Sequence, residues 1–214
     1  AGPTADPVRA RRRLGLCDSA DGRQRNRVAR ASRVVRGSDG GRPWSVLSKA
    51  RDQLVAYPGA TLVSGEAVTA RAVGNGFVVS LSSGEEISAR KVILAFGLRD
   101  SLEPIPGLWE RWGKTVLHCP YCHGFEFSDK PLGVLARTPM SVHQACLIAE
   151  WGPTTLFLNR VELEPEHTEM LASHGVAIAR GKETRLTGDG HGLSAVELED
   201  GRESHVSALS VAPQ

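Results

Sequence analysis

Cysteine is scarce in this 214-residue chain: Cys17, Cys119, Cys122 and Cys146 are all there are. Four cannot staple a chain of this size, which excludes a disulfide-built secreted scaffold and leads to the expectation of a reducing, cytoplasmic setting. Long apolar runs are missing too. No stretch approaches the roughly 18–20 residues of a membrane-spanning helix, and the opening AGPTADP carries no secretory signal pattern. A strong excess of one charge is also lacking: the net charge of +2 exerts no general pull on nucleic acid. The local exception is ten arginines within the first 36 residues, in the runs RARRR and GRQRNRVARASRVVR. Without interleaved aromatics they read as a solvated face rather than a nucleic-acid-binding arm.

What is present alternates between helix-like and strand-like segments. Residues 14–18 (LGLCD) are a short apolar run ending in an acid, followed by a Gly- and Arg-rich loop to about Arg42. The spacing of Trp44, Leu47, Ala50 and Leu54 predicts an amphipathic helix over 43–57, opened by Pro43 and stopped by Pro58-Gly59. The segments ATLV, AVTARAV and FVVSLS predict short strands joined by Gly74-Asn75-Gly76 and Ser83-Gly84-Glu85 turns, and KVILA (91–95) a buried strand. The second half follows the same plan. Strands are expected at 132–136, 155–159, VAIA, SAVELED and 208–212, and helices at 141–150 and 165–173.

The repetition has a measurable period. Gly59, Gly65, Gly84 and Ala95 are matched by Gly175, Gly181, Gly201 and Ala212, at offsets of 116, 116, 117 and 117. One inserted residue accounts for the shift, and segment types agree as well as glycines. The fold class expected is therefore α/β, with two Rossmann-like three-layer units, each carrying an antiparallel meander, the first unit incomplete. The division falls at residues 1–116 and 117–214. Duplicated units of this kind commonly bind one nucleotide each.

Near that junction stands His118-Cys119-Pro120-Tyr121-Cys122-His123. The CxxCH pattern is compatible with haem attachment. Cys119 and Cys122 with His143 and Cys146 form a possible zinc set. A redox dithiol is the third reading: the two thiols lie in reach of one another at a helix start, and either flanking histidine can move the accompanying proton. The bland role for either histidine is packing at a sheet edge.

Residues 89–126, ARKVILAFGLRDSLEPIPGLWERWGKTVLHCPYCHGFE, resemble the thioredoxin-reductase-like branch of the pyridine nucleotide–disulfide oxidoreductases, in which a P-x-I-P-G segment leads to the CxxC. LCDSADGRQRNR (16–27) resembles the acidic strand end and R-N loop around FAD, and RTPMSVHQACLIAEW (137–151) the matching helix of the second nucleotide unit. The CPYCHG form is also similar to the dithiol oxidases of this branch, which pass electrons from a small dithiol through FAD to oxygen. The resemblance implies an enzyme whose Cys122 faces the flavin and whose Cys119 attacks a thioredoxin-like protein or a small dithiol or disulfide. His123 stands where the reductases place an acidic proton donor. Asp18 is implied to take ribose hydroxyls of FAD, Asn26 to lie in the R-N loop, and Gly2, Pro3 and Gly97 to lie near the phosphates or isoalloxazine. No nucleic acid or membrane partner is implied, and a homodimer is.

The family pattern also breaks in places. Of the expected G-x-G-x-x-G loop only Gly2 is present, followed by Thr4-Ala5-Asp6, and Pro7 sits within the helix expected over 3–13. Phe96 replaces a small hydroxyl residue. The segment Arg137-Thr138-Pro139-Met140, where the NADPH pyrophosphate belongs, has no glycine, leaving Arg160 as a candidate for its 2′-phosphate. Against the family, the first strand and the closing FAD-binding segment are expected to be missing from this chain.

Overall fold

A computed structural model describes residues 16–20, 29, 31–33 and 35–212. Contacts divide the chain into two compact units, Ala1–Arg27 with Gly41–Arg99 and Val28–Gly40 with Asp100–Gln214.

In the first unit, β1 (Leu16–Ala20) runs parallel to β2 (Ala60–Ser64), with Asp18 opposite Leu62 and two strand residues beyond it. Between them in sequence lies α1 (Pro43–Val55), with proline in its first turn, where a backbone N–H has no helical partner to lose. The strands β3 (Ala67–Val73), β4 (Gly76–Leu81) and β5 (Glu86–Ala89) form an antiparallel meander whose turns fall where the glycines predict them.

The second unit is built on a parallel sheet of β6 (Val116–Leu117), β7 (Leu132–Leu135), β8 (Thr154–Phe157), β9 (Ala177–Ala179) and β13 (Ala208–Val211), in the order β6-β13-β7-β8-β9. The one-turn helix α2 (Pro120–His123) follows β6, α3 (Met140–Ile148) follows β7, and α4 (Pro165–Ser173) follows β8. A meander of β10 (Glu183–Thr187), β11 (Ala195–Leu198) and β12 (Glu203–His205) precedes β13. All residues of β7 and β13 are buried, as expected of parallel strands covered on both faces.

Strand alternation sorts the core into two layers. Leu132, Val134 and Leu156 join Val142, Ala145, Cys146 and Ile148 of α3 on one face. Leu135, Phe157, Leu209 and Val211 join Leu186, Val196 and Leu198 of the meander on the other. Each fully buried side chain of this size contributes about 1.5–3 kcal/mol. The segment leading to β6 is pinned to the meander by Arg111, only 6% exposed, which donates to the carbonyls of Gly107, Gly188 and Gly192 at 2.9, 2.7 and 2.9 Å. Gly107, at φ +85°, allows the approach: a Cβ there would lie 2.4 Å from Leu186 O.

The chain runs from β7 through β8 to β9 on one side, then returns to place β13 on the other side of β7. The switch point is thus the C-terminal edge of β7 and β13, the position where open α/β sheets bind ligands. Because all five strands are parallel, β6 ends at this same edge and delivers Cys119 there. No helix among the described residues is long and apolar enough to cross a membrane.

The buried strand expected over 91–95 is not formed. These residues have no regular structure, and Ile93 and Leu94 are 51% and 68% exposed. Their repeat counterpart, β13, is hydrogen-bonded on both sides by β6 and β7. Among the described residues of the first unit no strand pairs with 91–95, so the segment has no ladder to join.

Candidate active site

The chain leaves β6 at Leu117, and Pro120 at the first helical position closes the single turn of α2. This turn sets Cys119, its extended N-cap, beside Cys122. The two sulfurs are 2.7 Å apart and unlinked, with the Cys122 thiol donating to Cys119. Burial pushes the Cys122 pKa up to about 11, with the bond to Cys119 and its charge adding to the effect. Cys122 therefore keeps its proton at neutral pH, and Cys119 is the accepting sulfur of the pair.

His123 ends α2. Burial holds its pKa below the ordinary imidazole value; the Glu126 carboxylate opposes that shift and the Arg33 guanidinium adds to it. His118 Nδ1 lies 3.4 Å from Val211 O, which can only accept, so this bond places a proton on Nδ1. Gln144 of α3 donates to His118 O at 3.2 Å and to Ser210 Oγ of β13 at 2.9 Å, anchoring the strand end just before Cys119. Gly124 is required by close packing: a Cβ there would lie 2.9 Å from the Trp151 ring. Tyr121 meets the same indole edge-on, 5.6 Å between centroids, while Tyr121 and Phe125 stay 65% and 83% exposed. A cavity of about 30 Å³ lies beside Cys119, lined by Leu117, Phe127 and Trp151 among others.

The switch-point crevice is filled by the chain itself. Ser141 Oγ accepts from the backbone N–H groups of Arg137 and Thr138, at 3.1 and 3.4 Å. The Arg137 side chain, 10% exposed, pairs with Glu103 at 3.0 Å and reaches the carbonyls of Ser101 and Ala212 at 3.4 and 3.5 Å. These are donors that a pyrophosphate at a strand–helix turn would use. No glycine lets a phosphate approach the backbone, so the residues present do not fit the pyrophosphate of a nicotinamide dinucleotide.

Arg160, the candidate for a 2′-phosphate, follows β8 with φ +65°, after Asn159 at φ +46°. It lines a hollow of about 390 Å³ with Arg180, Leu158 and Leu163, but its guanidinium is paired with Glu199 at 2.9 Å. Beneath this turn Glu183, 2% exposed, accepts from Asn159 N at 3.2 Å.

Of the residues singled out from sequence, Cys119, Cys122 and His123 come together on one turn. Asp18 lies within β1, and Gly97, in a stretch without regular structure, has φ +71° and open space where a Cβ would stand. Gly2, Pro3 and Asn26, with the helix expected over 3–13, lie outside the described residues. The alternative zinc set is not assembled: Cys146 is 6% exposed within the core, and among the described residues no three His, Cys, Asp or Glu side chains are grouped to hold a metal. Glu103, Glu126, Gln144 and Glu183 carry no motif and were not singled out. Their only sequence signal is a polar residue inside or beside an apolar segment.

No family model matches the chain, but individual proteins do. Thioredoxin reductase tcpT of Claviceps purpurea (strain 20.1) is 32% identical over 218 residues, covering 95% of this chain and 67% of the relative. Thioredoxin reductase sirT of Leptosphaeria maculans is 33% identical over 153 residues, covering 64% of this chain and 47% of the relative. Among solved structures, an oxidoreductase from Agrobacterium tumefaciens matches 100% of this chain and 71% of its own, at 36% identity and a TM-score of 0.94. The sequence match to tcpT along two thirds of its length and the common fold lead to one conclusion: the chain belongs to the thioredoxin-reductase-like family of oxidoreductases.

Proposed function

We propose that the chain is an FAD-dependent dithiol–disulfide oxidoreductase whose Cys119–Cys122 pair exchanges electrons with a thioredoxin-like protein or a small dithiol or disulfide. In this reading residues 1–116 are the FAD-binding-like part and 117–214 the NAD(P)-binding-like part that carries the CxxC. The observation that carries it is the placing of Cys119 and Cys122 on one helical turn with their unlinked sulfurs 2.7 Å apart.

In the reducing direction Cys119, as thiolate, attacks one sulfur of the partner disulfide, forming a mixed disulfide and releasing one partner thiolate. Cys122 must then lose its proton, which at a pKa of about 11 requires a base. His123, the next residue, is neutral near pH 7 and takes that role. Cys122 attacks Cys119 Sγ, closes the disulfide and expels the second partner thiolate. Two electrons pass from the cysteine pair to the partner, whose two thiolates take up the Cys122 proton, handed on by His123, and one proton from solvent. Oxidation of a dithiol runs through the same steps in reverse.

A bound flavin supplies two-electron exchange with the pair. Asp18, Gly97, Gly2, Pro3 and Asn26 are assigned to it by family resemblance, and the open space beside Gly97, at φ +71°, is consistent with a close approach there.

A second reading, a small-molecule dithiol oxidase that uses oxygen in place of NADPH, has its own support. The nucleotide turn of the second unit is capped by Ser141 and plugged by the Arg137–Glu103 pair. One set of spectra tests both. Purified chain incubated with FAD is expected to retain flavin absorbance and to bleach anaerobically on adding dithiothreitol. Bleaching by NADPH would overturn the oxidase reading. A folded chain that retains no flavin would overturn both and leave a non-catalytic binding module.

A further inference from the structure

The arginine-rich stretch was expected to be a solvated face, yet one of its members is engaged beside the cysteine pair. Gly40 N donates to Ser32 O at 2.9 Å and Ser38 N to Val35 O at 2.8 Å, folding this segment into a tight loop within the second unit. From that loop the Arg33 guanidinium forms an ion pair with Glu126, and its Nη1 lies 3.7 Å from Asp39 Oδ2. The Arg33 and Glu126 side chains are each only 33% exposed. Glu126 belongs to the short turn Gly124–Phe127 that continues α2 and comes three residues after His123.

We propose that Arg33 is a positioning residue for His123: by holding the Glu126 carboxylate, it keeps that charge from pairing with the imidazole and leaves His123 free to carry a proton for the Cys119–Cys122 pair. This rests on the thiol-exchange reading above. Among the described residues, the charged groups that act on His123 are Glu126 from the following turn and Arg33, with Asp39 behind it, from the preceding loop; Cys119 and Cys122 share its turn of chain. A carboxylate three residues beyond a histidine, left unpaired, attracts its proton. A protonated His123 cannot accept the proton of Cys122, and the resolving step then stalls. With Glu126 turned toward a guanidinium, the imidazole stays neutral and so able to accept a proton.

The test is a nuclear magnetic resonance titration of His123 in the full chain, its signal assigned by comparison with His123→Gln. Arg33→Gln is expected to raise the His123 pKa by about half a unit or more, and Arg33→Lys to restore it. Glu126→Gln is expected to lower it. In the Glu126→Gln background the effect of Arg33→Gln should shrink to less than half. A His123 pKa that fails to rise in Arg33→Gln overturns the proposal, as does the same rise whether or not Glu126 is present. Circular dichroism melts of the variants confirm that a folded protein is being titrated. The acid limb of the pH profile for exchange with a small aromatic disulfide should move by the same amount. Because the titration requires neither flavin nor turnover, a chain that shows the linkage without exchanging thiols refutes the functional reading alone.

Discussion

Replacing Glu183 with glutamine is expected to stabilise the chain by about 1–2 kcal/mol at pH 7 and by little or nothing at pH 4. Glu183 opens β10, is 2% exposed, and has one oxygen bonded to Asn159 N. Its Oε2 has no hydrogen-bond partner among the described residues. Burial raises its pKa, hydrogen bonds from its own and the Asn159 backbone pull the other way, and the Glu199 charge adds to the rise. A raised carboxyl pKa means that the folded state binds protons more tightly than the unfolded one. Stability is therefore full below the unfolded value of about 4.3 and falls as pH rises through the folded value. A buried charged oxygen left without a partner costs about 1–3 kcal/mol, and the new amide NH₂ returns part of that cost. Urea denaturation of both proteins at pH 4 and pH 7, with equal slopes, gives the difference directly. An equal gain at both pH values, or a loss at pH 7, would refute the reasoning.

With Cys122 pushed up to about 11, its thiolate fraction at pH 8 is about a hundredfold below that of an ordinary thiol. Limited alkylation followed by peptide mass spectrometry should therefore label Cys119 well before Cys122, and equal labelling would contradict the assigned asymmetry. Gly107→Ala puts a Cβ 2.4 Å from Leu186 O in a left-handed conformation. It should cost about 2–3 kcal/mol in chemical denaturation. Glu103→Gln removes the charge that plugs the switch-point crevice but leaves the turn without glycine and capped by Ser141. Calorimetry with NADPH should detect no binding to either form, and submillimolar affinity in the variant would show that charge alone closes the site.

What could be read from the chain was whatever a short window contains. The helix Pro165–Ser173 has the bounds expected, because a proline, one turn of acidic residues and a closing His174-Gly175 are all local signals. The CxxC was legible for the same reason: its chemistry lies in four residues. β10 and β12 escaped as separate strands because Glu183–Thr187 and Glu203–His205 are mostly polar, held by neighbours in the meander rather than by apolar alternation. The stretch 91–95 failed in the opposite sense, having a strand's composition without a pairing strand among the described residues. Arg33–Glu126 and Arg137–Glu103 join residues far apart in sequence, and no spacing rule announces an ion pair of that kind.

The reactive turn and the nucleotide turn share one support. Gln144 ties the carbonyl before Cys119 to Ser210, His118 reaches Val211 O, and Arg137 reaches Ala212 O, the last two residues of β13 and the one that follows it. β13 is itself held between β6 and β7 and fully buried. The cysteine pair thus takes its position from the centre of the sheet and from α3, with no contribution required from a ligand in the crevice next to it. A chain that closes its nucleotide turn with its own arginine and serine loses none of the contacts that set the two sulfurs 2.7 Å apart. In the proposed reading, thiol exchange therefore does not depend on nicotinamide binding at the turn Arg137–Ser141.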